Sequence, residues 1–198
     1  MPCVYNHVVR SLVVAPVVAL LLFAACRHDP VLNPNKKRKG DDMTKTLVIG
    51  AAKPGTVQSR AGATVDLAPL WESQRVIVVF YRGHWCPHCQ HQLGELNKVT
   101  EQLAVQKVTI IAISSDTPAD AEVLHKKLGL TFEVYSDTDL KVITSWGVGD
   151  YGAGISKPAT FIIEPGGDIS FRRVGEKPSD HPSVSELLAA LRAPQKSE

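Results

Sequence analysis

Cys86 and Cys89 are separated by two residues in Trp85-Cys86-Pro87-His88-Cys89. At that spacing a single turn brings two side chains together, so the pair can pass between dithiol and disulfide with little backbone movement. Where such a pair opens a helix, the first sulfur meets unpaired N–H groups and the positive end of the helix dipole, which favour thiolate over thiol. Cys86 is therefore the expected nucleophile, and Cys89, one helical turn deeper, the residue that resolves a mixed disulfide. His88 lies between them, and an imidazolium beside the Cys86 sulfur would make the disulfide more oxidising. Pro87 suits a first helical turn, where its missing N–H costs nothing. Trp85 is expected as an apolar wall beside the sulfurs.

A metal would be the other use of this cluster, because His84, His88 and His91 crowd around the two cysteines. A closed zinc site built on CxxC draws its remaining ligands from a second such pair, and the chain has none. Gln90 follows Cys89, which removes the CxxCH pattern of haem attachment. No metal ligand is assigned, and a metal-binding module using Cys86, His88, Cys89 and His91 stays as an alternative.

The elements around the pair support redox work. Val76 to Tyr81 is a continuous β-branched and aromatic run, as in a strand covered on both faces. It leads straight into the motif. Leu93, Leu96, Val99 and Leu103 then recur at helical spacing, which predicts one helix from about Pro87 to Ala104. A second buried strand is expected at Val108 to Ile113, followed by a helix capped by Thr117-Pro118 and running to about Leu128. A short strand at Phe132 to Tyr135 and a short helix at Asp139 to Trp146 come next. Thr160 to Ile163 should then pair, across the Glu164 to Asp168 turn, with Ile169 to Val174. Ser183 with Glu186 three residues on forms a capping box for a last amphipathic helix bearing Val184, Leu187, Leu188 and Leu191. This order predicts an α/β fold with a central mixed sheet flanked by helices.

The chain has 198 residues, 44% of them apolar, enough to fill the core of one ordinary domain. Its 22 Lys and Arg stand against 20 Asp and Glu, and five of the basic residues fall in the short stretch 27–43. The remainder is close to neutral, which gives no electrostatic footing for nucleic acid. Leu12 to Ala25 is wholly apolar and ends in Phe23-Ala24-Ala25-Cys26. It is too short for an ordinary membrane span and reads as a secretory leader. Small residues before a cysteine resemble a bacterial lipobox, with Cys26 the lipidated residue. The expected organisation is a signal at 1–26, a flexible tether at 27–43 and one domain at 44–198, in a protein exported to the bacterial cell envelope and lipid-anchored to a membrane. A start at Met43 is the alternative, and would leave the protein in the cytoplasm.

Phe80-Tyr-Arg-Gly-His-Trp-Cys-Pro-His-Cys89 and Gln92-Leu-Gly-Glu-Leu96 resemble the peroxiredoxin-like branch of the alkyl hydroperoxide reductase/thiol-specific antioxidant family. Ile113-Ser-Ser-Asp116, Leu130 to Asp137 and Pro158-Ala-Thr-Phe-Ile-Ile163 agree with it. The resemblance spans about residues 60–175 and implies a thioredoxin-like fold. It also implies that Pro158 is a cis-proline packed opposite the cysteine pair. A peroxidatic cysteine in this family follows Pro-x-x-x-Thr/Ser-x-x-Cys and uses a distant Arg. With Cys89 aligned there, Cys86 replaces the Thr/Ser, Arg82 the Pro, and Pro158 stands where the Arg would be. Arg82 beside the thiolate is left as the nearest cation. The Cys-Pro-His-Cys tetrapeptide is similar to that of periplasmic dithiol oxidases.

The leading expectation is a thiol-disulfide oxidoreductase, with an antioxidant role, acting on protein thiols and disulfides or a small thiol. It needs no bound cofactor, only an external thiol or dithiol as donor or acceptor. A thiol-dependent peroxidase acting on hydroperoxide is the alternative.

Overall fold

The segment that delivers the cysteine pair is the centre of the sheet. A computed structural model describes residues 49–192 of the chain. The predicted leader, Cys26, the tether and the Met43 start lie outside the described residues.

Among the described residues ten strands form: β1 (Gly50–Ala51), β2 (Thr56–Gln58), β3 (Thr64–Asp66), β4 (Arg75–Phe80), β5 (Val108–Ser114), β6 (Glu133–Ser136), β7 (Gly149–Asp150), β8 (Ile155–Ser156), β9 (Ala159–Ile163) and β10 (Asp168–Val174). Eight of them build one mixed sheet in the order β1-β10-β9-β4-β5-β6-β2-β3, and β7 and β8 form a separate hairpin. β4 runs parallel to β5 and antiparallel to β9. The α-helices among the described residues are α1 (Pro87–Asn97), α2 (Thr100–Val105), α3 (Pro118–Leu128), α4 (Lys141–Ser145) and α5 (Val184–Leu191).

Strand periodicity sorts the core into two layers. Ile77 and Val79 of β4, with Tyr81 just beyond it, point to one face. There they meet Cys86, Cys89, Leu93 and Leu96 of the motif and α1, Leu103 of α2, Leu124 of α3 and Leu187 of α5. Val76, Val78 and Phe80 point the other way, onto Trp71, Val142, Ile143 and Trp146. Trp146 packs edge-on to Phe161 with ring centroids 4.9 Å apart and tilts against Phe80 at 5.3 Å. The dithiol thus sits on one face of the sheet and an aromatic cluster on the other.

Helix ends follow the residues expected of them. Thr117 accepts a hydrogen bond from Asp120 N at 3.2 Å, Pro118 fills the first turn, and Gly129 closes α3 in the left-handed region at φ 57°. Ser183 accepts from Glu186 N at 3.2 Å. The reciprocal half of that capping box is absent, because the Glu186 carboxylate is taken by Arg173.

The single helix expected from Pro87 to Ala104 is two. Its ladder breaks at Val99, at φ −114° and ψ 5°. Asn97 directs its side chain to the loop after α3, donating to Gly129 O at 2.9 Å and accepting from Thr131 N at 2.8 Å. Thr100 Oγ1 bonds Asn97 O at 2.9 Å. These side-chain bonds compete with the helical ladder at the point where it stops.

Candidate active site

β4 ends at Phe80, and Tyr81 N still reaches Ile113 O of β5 at 3.0 Å before the chain leaves the sheet. The turn that follows is held by its own backbone, with Cys86 N donating to Gly83 O at 3.1 Å. Cys86 is the N-cap of α1, in extended conformation at φ −80° and ψ 113°, and Pro87 is the first helical residue. The cap is the sulfur itself: Cys86 Sγ accepts from Cys89 N at 3.3 Å. A thiol therefore takes the place that Ser, Thr or Asp usually fills.

Both cysteines are free thiols and both are buried, Cys86 to 1% exposure and Cys89 to 2%. Burial pushes the Cys89 thiol up to about 12, with its hydrogen bond to Cys86 adding to the rise. A hydrogen bond from the Arg82 backbone and the charge of Arg82 offset part of it. Cys89 is a protonated thiol at neutral pH.

The supporting residues differ in part from expectation. Trp85 does not wall in the sulfurs: it is 51% exposed, and the Arg82 guanidinium lies over its ring at 5.3 Å. Its apolar face is taken by that cation–π contact instead. His88 is exposed, and among the described residues the hydrogen bond at the Cys86 sulfur comes from the backbone of Cys89 and not from the His88 imidazole. The helix register turns His88 outward and leaves the N-cap geometry to hold the sulfur.

Pro158 is buried at the entry to β9 beside the end of β4, since Phe80 pairs with Ala159. Its peptide bond is trans, against the expected cis. Lys157 N donates to Val148 O at 2.7 Å and Pro158 O accepts from Gly175 N at 2.8 Å. The extended path is satisfied on both sides of the bond, so the intrinsically favoured trans isomer stands. On the same strand, Thr160 Oγ1 accepts from Gln92 Nε2 at 3.2 Å in the interior, which ties α1 to β9.

One group at the site is not apparent from the motif. Asp116, just past β5, accepts from His84 N at 2.7 Å and from Ser114 Oγ at 2.9 Å, and lies 3.0 Å from His84 Nδ1. Gly83 makes this possible, for a Cβ there would lie 2.6 Å from Trp85 Nε1 and 3.1 Å from Asp116 Oδ1. Gln90 completes the brace, donating to His84 O at 2.6 Å and accepting from Lys127 at 3.0 Å. The parallel register of β4 on β5 is the signal that brings them together. Pairing Phe80 with Ile113 sets residues 81–84 beside residues 114–116, at the carboxyl edge of the sheet where α/β sites gather.

His84 belongs to the brace. Among the described residues, no group of three or more His, Cys, Asp or Glu side chains is placed to hold a metal ion.

Residues 49–172 match the AhpC/TSA family. A protein of Mycobacterium tuberculosis (strain CDC 1551) provisionally named peroxiredoxin MT2597 is 30% identical over 149 residues, which span 70% of this chain and 94% of that protein. The thiol-disulfide oxidoreductase ResA of Geobacillus thermodenitrificans is 25% identical over 161 residues, 81% of this chain and 85% of ResA. In fold, the chain is similar to the peroxidoxin BcpB of Mycobacterium tuberculosis, with a TM-score of 0.66 at 19% identity over 74% of this chain and 96% of BcpB. The dithiol lies at the strand-to-helix turn of a thioredoxin-like sheet within that matched span. The chain belongs to the AhpC/TSA family and is a peroxiredoxin-like, thiol-based oxidoreductase.

Proposed function

We propose that the protein is a thiol-disulfide oxidoreductase that exchanges disulfides through Cys86 and Cys89. The observation that carries this reading is the division of labour between the sulfurs. Cys86 caps α1 and receives a backbone N–H, while the Cys89 thiol is pushed up to about 12. Cys86 attacks a substrate disulfide, and Cys89 then displaces the substrate from the mixed disulfide. Cys86→Ser should abolish reduction of insulin or of a model disulfide, and Cys89→Ser should accumulate a mixed disulfide on Cys86. Full activity in Cys86→Ser would refute the assignment.

Peroxide reduction is the second reading, favoured by the peroxiredoxin name of the 30% identical relative. With Cys89 aligned to the peroxidatic position of the family pattern, the reacting thiol would be one held protonated, a poor nucleophile towards peroxide. Stopped-flow consumption of hydrogen peroxide separates the two, because a rate no faster than that of a free thiol leaves exchange alone.

The substrates of this reading are protein disulfides or thiols and small thiols. Lipid anchoring at Cys26 to the cell envelope belongs to it as well, on the apolar run and the small residues before that cysteine. Globomycin-sensitive labelling with palmitate tests the anchor, and a native chain beginning at Met43 would eliminate it.

A further inference from the structure

Cys86 and Cys89 are almost completely buried, so an incoming disulfide first meets the side chains of the turn around them. These are Arg82 and His84, half-buried, and Trp85, Pro87 and His88, exposed. Of them Arg82 alone carries a permanent charge. Arg60 holds Glu122 and Glu133, Arg75 holds Glu164, and Arg173 holds Glu186. Arg82 makes no such pair among the described residues, and the other arginines without one, Arg172 and Arg192, stand exposed at the surface. A guanidinium partly withdrawn from water with its donors unengaged is costly, and a bound anion would offset that cost.

What holds Arg82 is Trp85, whose ring centroid lies 5.3 Å from the guanidinium carbon. Gly83 gives the indole its place: a Cβ there would stand 2.6 Å from Trp85 Nε1, so the ring edge rests against backbone that carries no side chain. The carboxylates that reach the turn are directed to His84 instead. Asp116 lies 3.0 Å from its Nδ1 and Asp120 3.9 Å from its Nε2. Stacking occupies one face of a guanidinium and leaves its edge, where the N–H donors lie, open to a planar anion.

We infer that Arg82, held over the ring of the residue before Cys86, is a carboxylate clamp, and that it selects small disulfides with a carboxylate close to the sulfur. The inference rests on the dithiol-exchange reading and names its substrate class. The Cys86 thiolate attacks one sulfur of RSSR, forming Cys86–SR and releasing RS⁻, while the carboxylate of the bound half stays on Arg82. Cys89 then attacks Cys86 Sγ, the Cys86–Cys89 disulfide forms, and the Cys89 proton passes to the second departing thiolate. The protein dithiol loses two electrons, and the substrate disulfide gains them to become two thiols.

The test uses the full chain with Cys3, Cys26 and Cys89 replaced by Ser, so that Cys86 is the one thiol and the mixed disulfide accumulates on it. Mass spectrometry follows its formation with dithiodiglycolate, a dianion, with neutral bis(hydroxyethyl) disulfide and with cystamine, a dication. Each rate is divided by that of free mercaptoethanol with the same disulfide, which removes intrinsic reactivity. The dianion should be favoured over the neutral disulfide on the order of tenfold, the size of one charge-assisted bidentate contact, and cystamine should be slowest. Arg82→Gln should remove the preference and leave the neutral disulfide at its parental rate, and Arg82→Glu should invert the preference towards cystamine. Arg172→Gln, an equal change of net charge at an exposed site on β10, should leave all three rates unaltered. Equal corrected rates for the three disulfides in the parent overturn the clamp alone, a result that needs no substitution in the turn. Slowing of the neutral disulfide as much as the dianion in Arg82→Gln also overturns it, because the cation would then act on the sulfur and not on the substrate. If none of the three forms an adduct on Cys86, dithiol exchange itself fails and the clamp falls with it.

Discussion

The backbone N–H of Cys89 donates to the Cys86 sulfur at 3.3 Å, so the residue that resolves the mixed disulfide also holds the nucleophile in place. Pro87 can precede it without loss because the N–H of a first helical residue has no intrahelical partner. The same turn buries the Cys89 side chain in the layer between β4 and α1. Two chemically identical groups are thereby made different by a displacement of one helical turn.

A pH dependence of stability follows from that burial. The Cys89 thiol titrates at about 12 in the folded protein, against an ordinary value of 9.0. Between these values the unfolded chain has released the proton and the folded chain still holds it. Stability from this group is therefore complete below pH 9.0 and is lost as pH rises towards 12. Urea unfolding of the reduced protein across the alkaline range should show a falling midpoint, and Cys89→Ala should flatten the slope. An equally steep fall in Cys89→Ala would assign the effect to other groups.

Gly83 is the next sensitive point. Substitution by Ala places a methyl group within 2.6 Å of Trp85 Nε1 and 3.1 Å of Asp116 Oδ1. Trp85 is exposed and can swing away, but doing so gives up its contact with Arg82. Gly83→Ala should cost about 1–3 kcal/mol of stability and slow disulfide exchange. Trp71 and Trp146 are buried in the opposite layer, so the accompanying change in tryptophan fluorescence should come from Trp85, and its absence in a Trp85→Phe background would confirm the source.

Much of this architecture is written in local pattern. The apolar run into Phe80, the Thr117-Pro118 cap and the Ser183 cap are each encoded within a few residues, and each appears where its pattern stands. Features fixed by distant partners are not. The break at Val99 depends on Asn97 finding the loop after α3. The short strands β1, β2 and β3, at the two ends of the sheet, have two or three residues each, and what defines them is pairing, β1 with β10, β2 with β6 and β3 with β2. At the site, the cysteine pair and its helix are local, whereas Asp116 joins His84 only once β4 and β5 are in parallel register. The outward turn of His88 is likewise a matter of helix phase set by α1 packing.

Asn97 tests the account of the helix break. Its side chain satisfies Gly129 O and Thr131 N, and Thr131 Oγ1 also donates to Asn97 Oδ1 at 3.0 Å. Asn97→Ala leaves those groups to solvent and removes the competitor to the ladder. A loss of about 1–2 kcal/mol is expected, with faster amide exchange at Thr131. The dithiol lies at the other end of α1, so exchange activity per folded molecule should stay at the parental rate. Unchanged protection at Thr131 would show that the loop is held by something else.

The aromatic layer behind the sheet offers the converse case, a large structural change that should spare the chemistry. Trp146 packs on Phe80, Phe161 and, at 6.2 Å, Trp71, while its Nε1 donates to Lys53 O at 3.0 Å. Trp146→Ala empties this position and should destabilise the protein by about 3–5 kcal/mol. Trp146→Phe restores most of the apolar contact and loses the hydrogen bond, so it should cost less. Every side chain of the dithiol layer points to the opposite face of β4. The folded fraction of either variant should therefore reduce a model disulfide at the parental rate. A rate that falls in step with stability would mean that strain in β4 reaches the dithiol, and that the two faces are not independent.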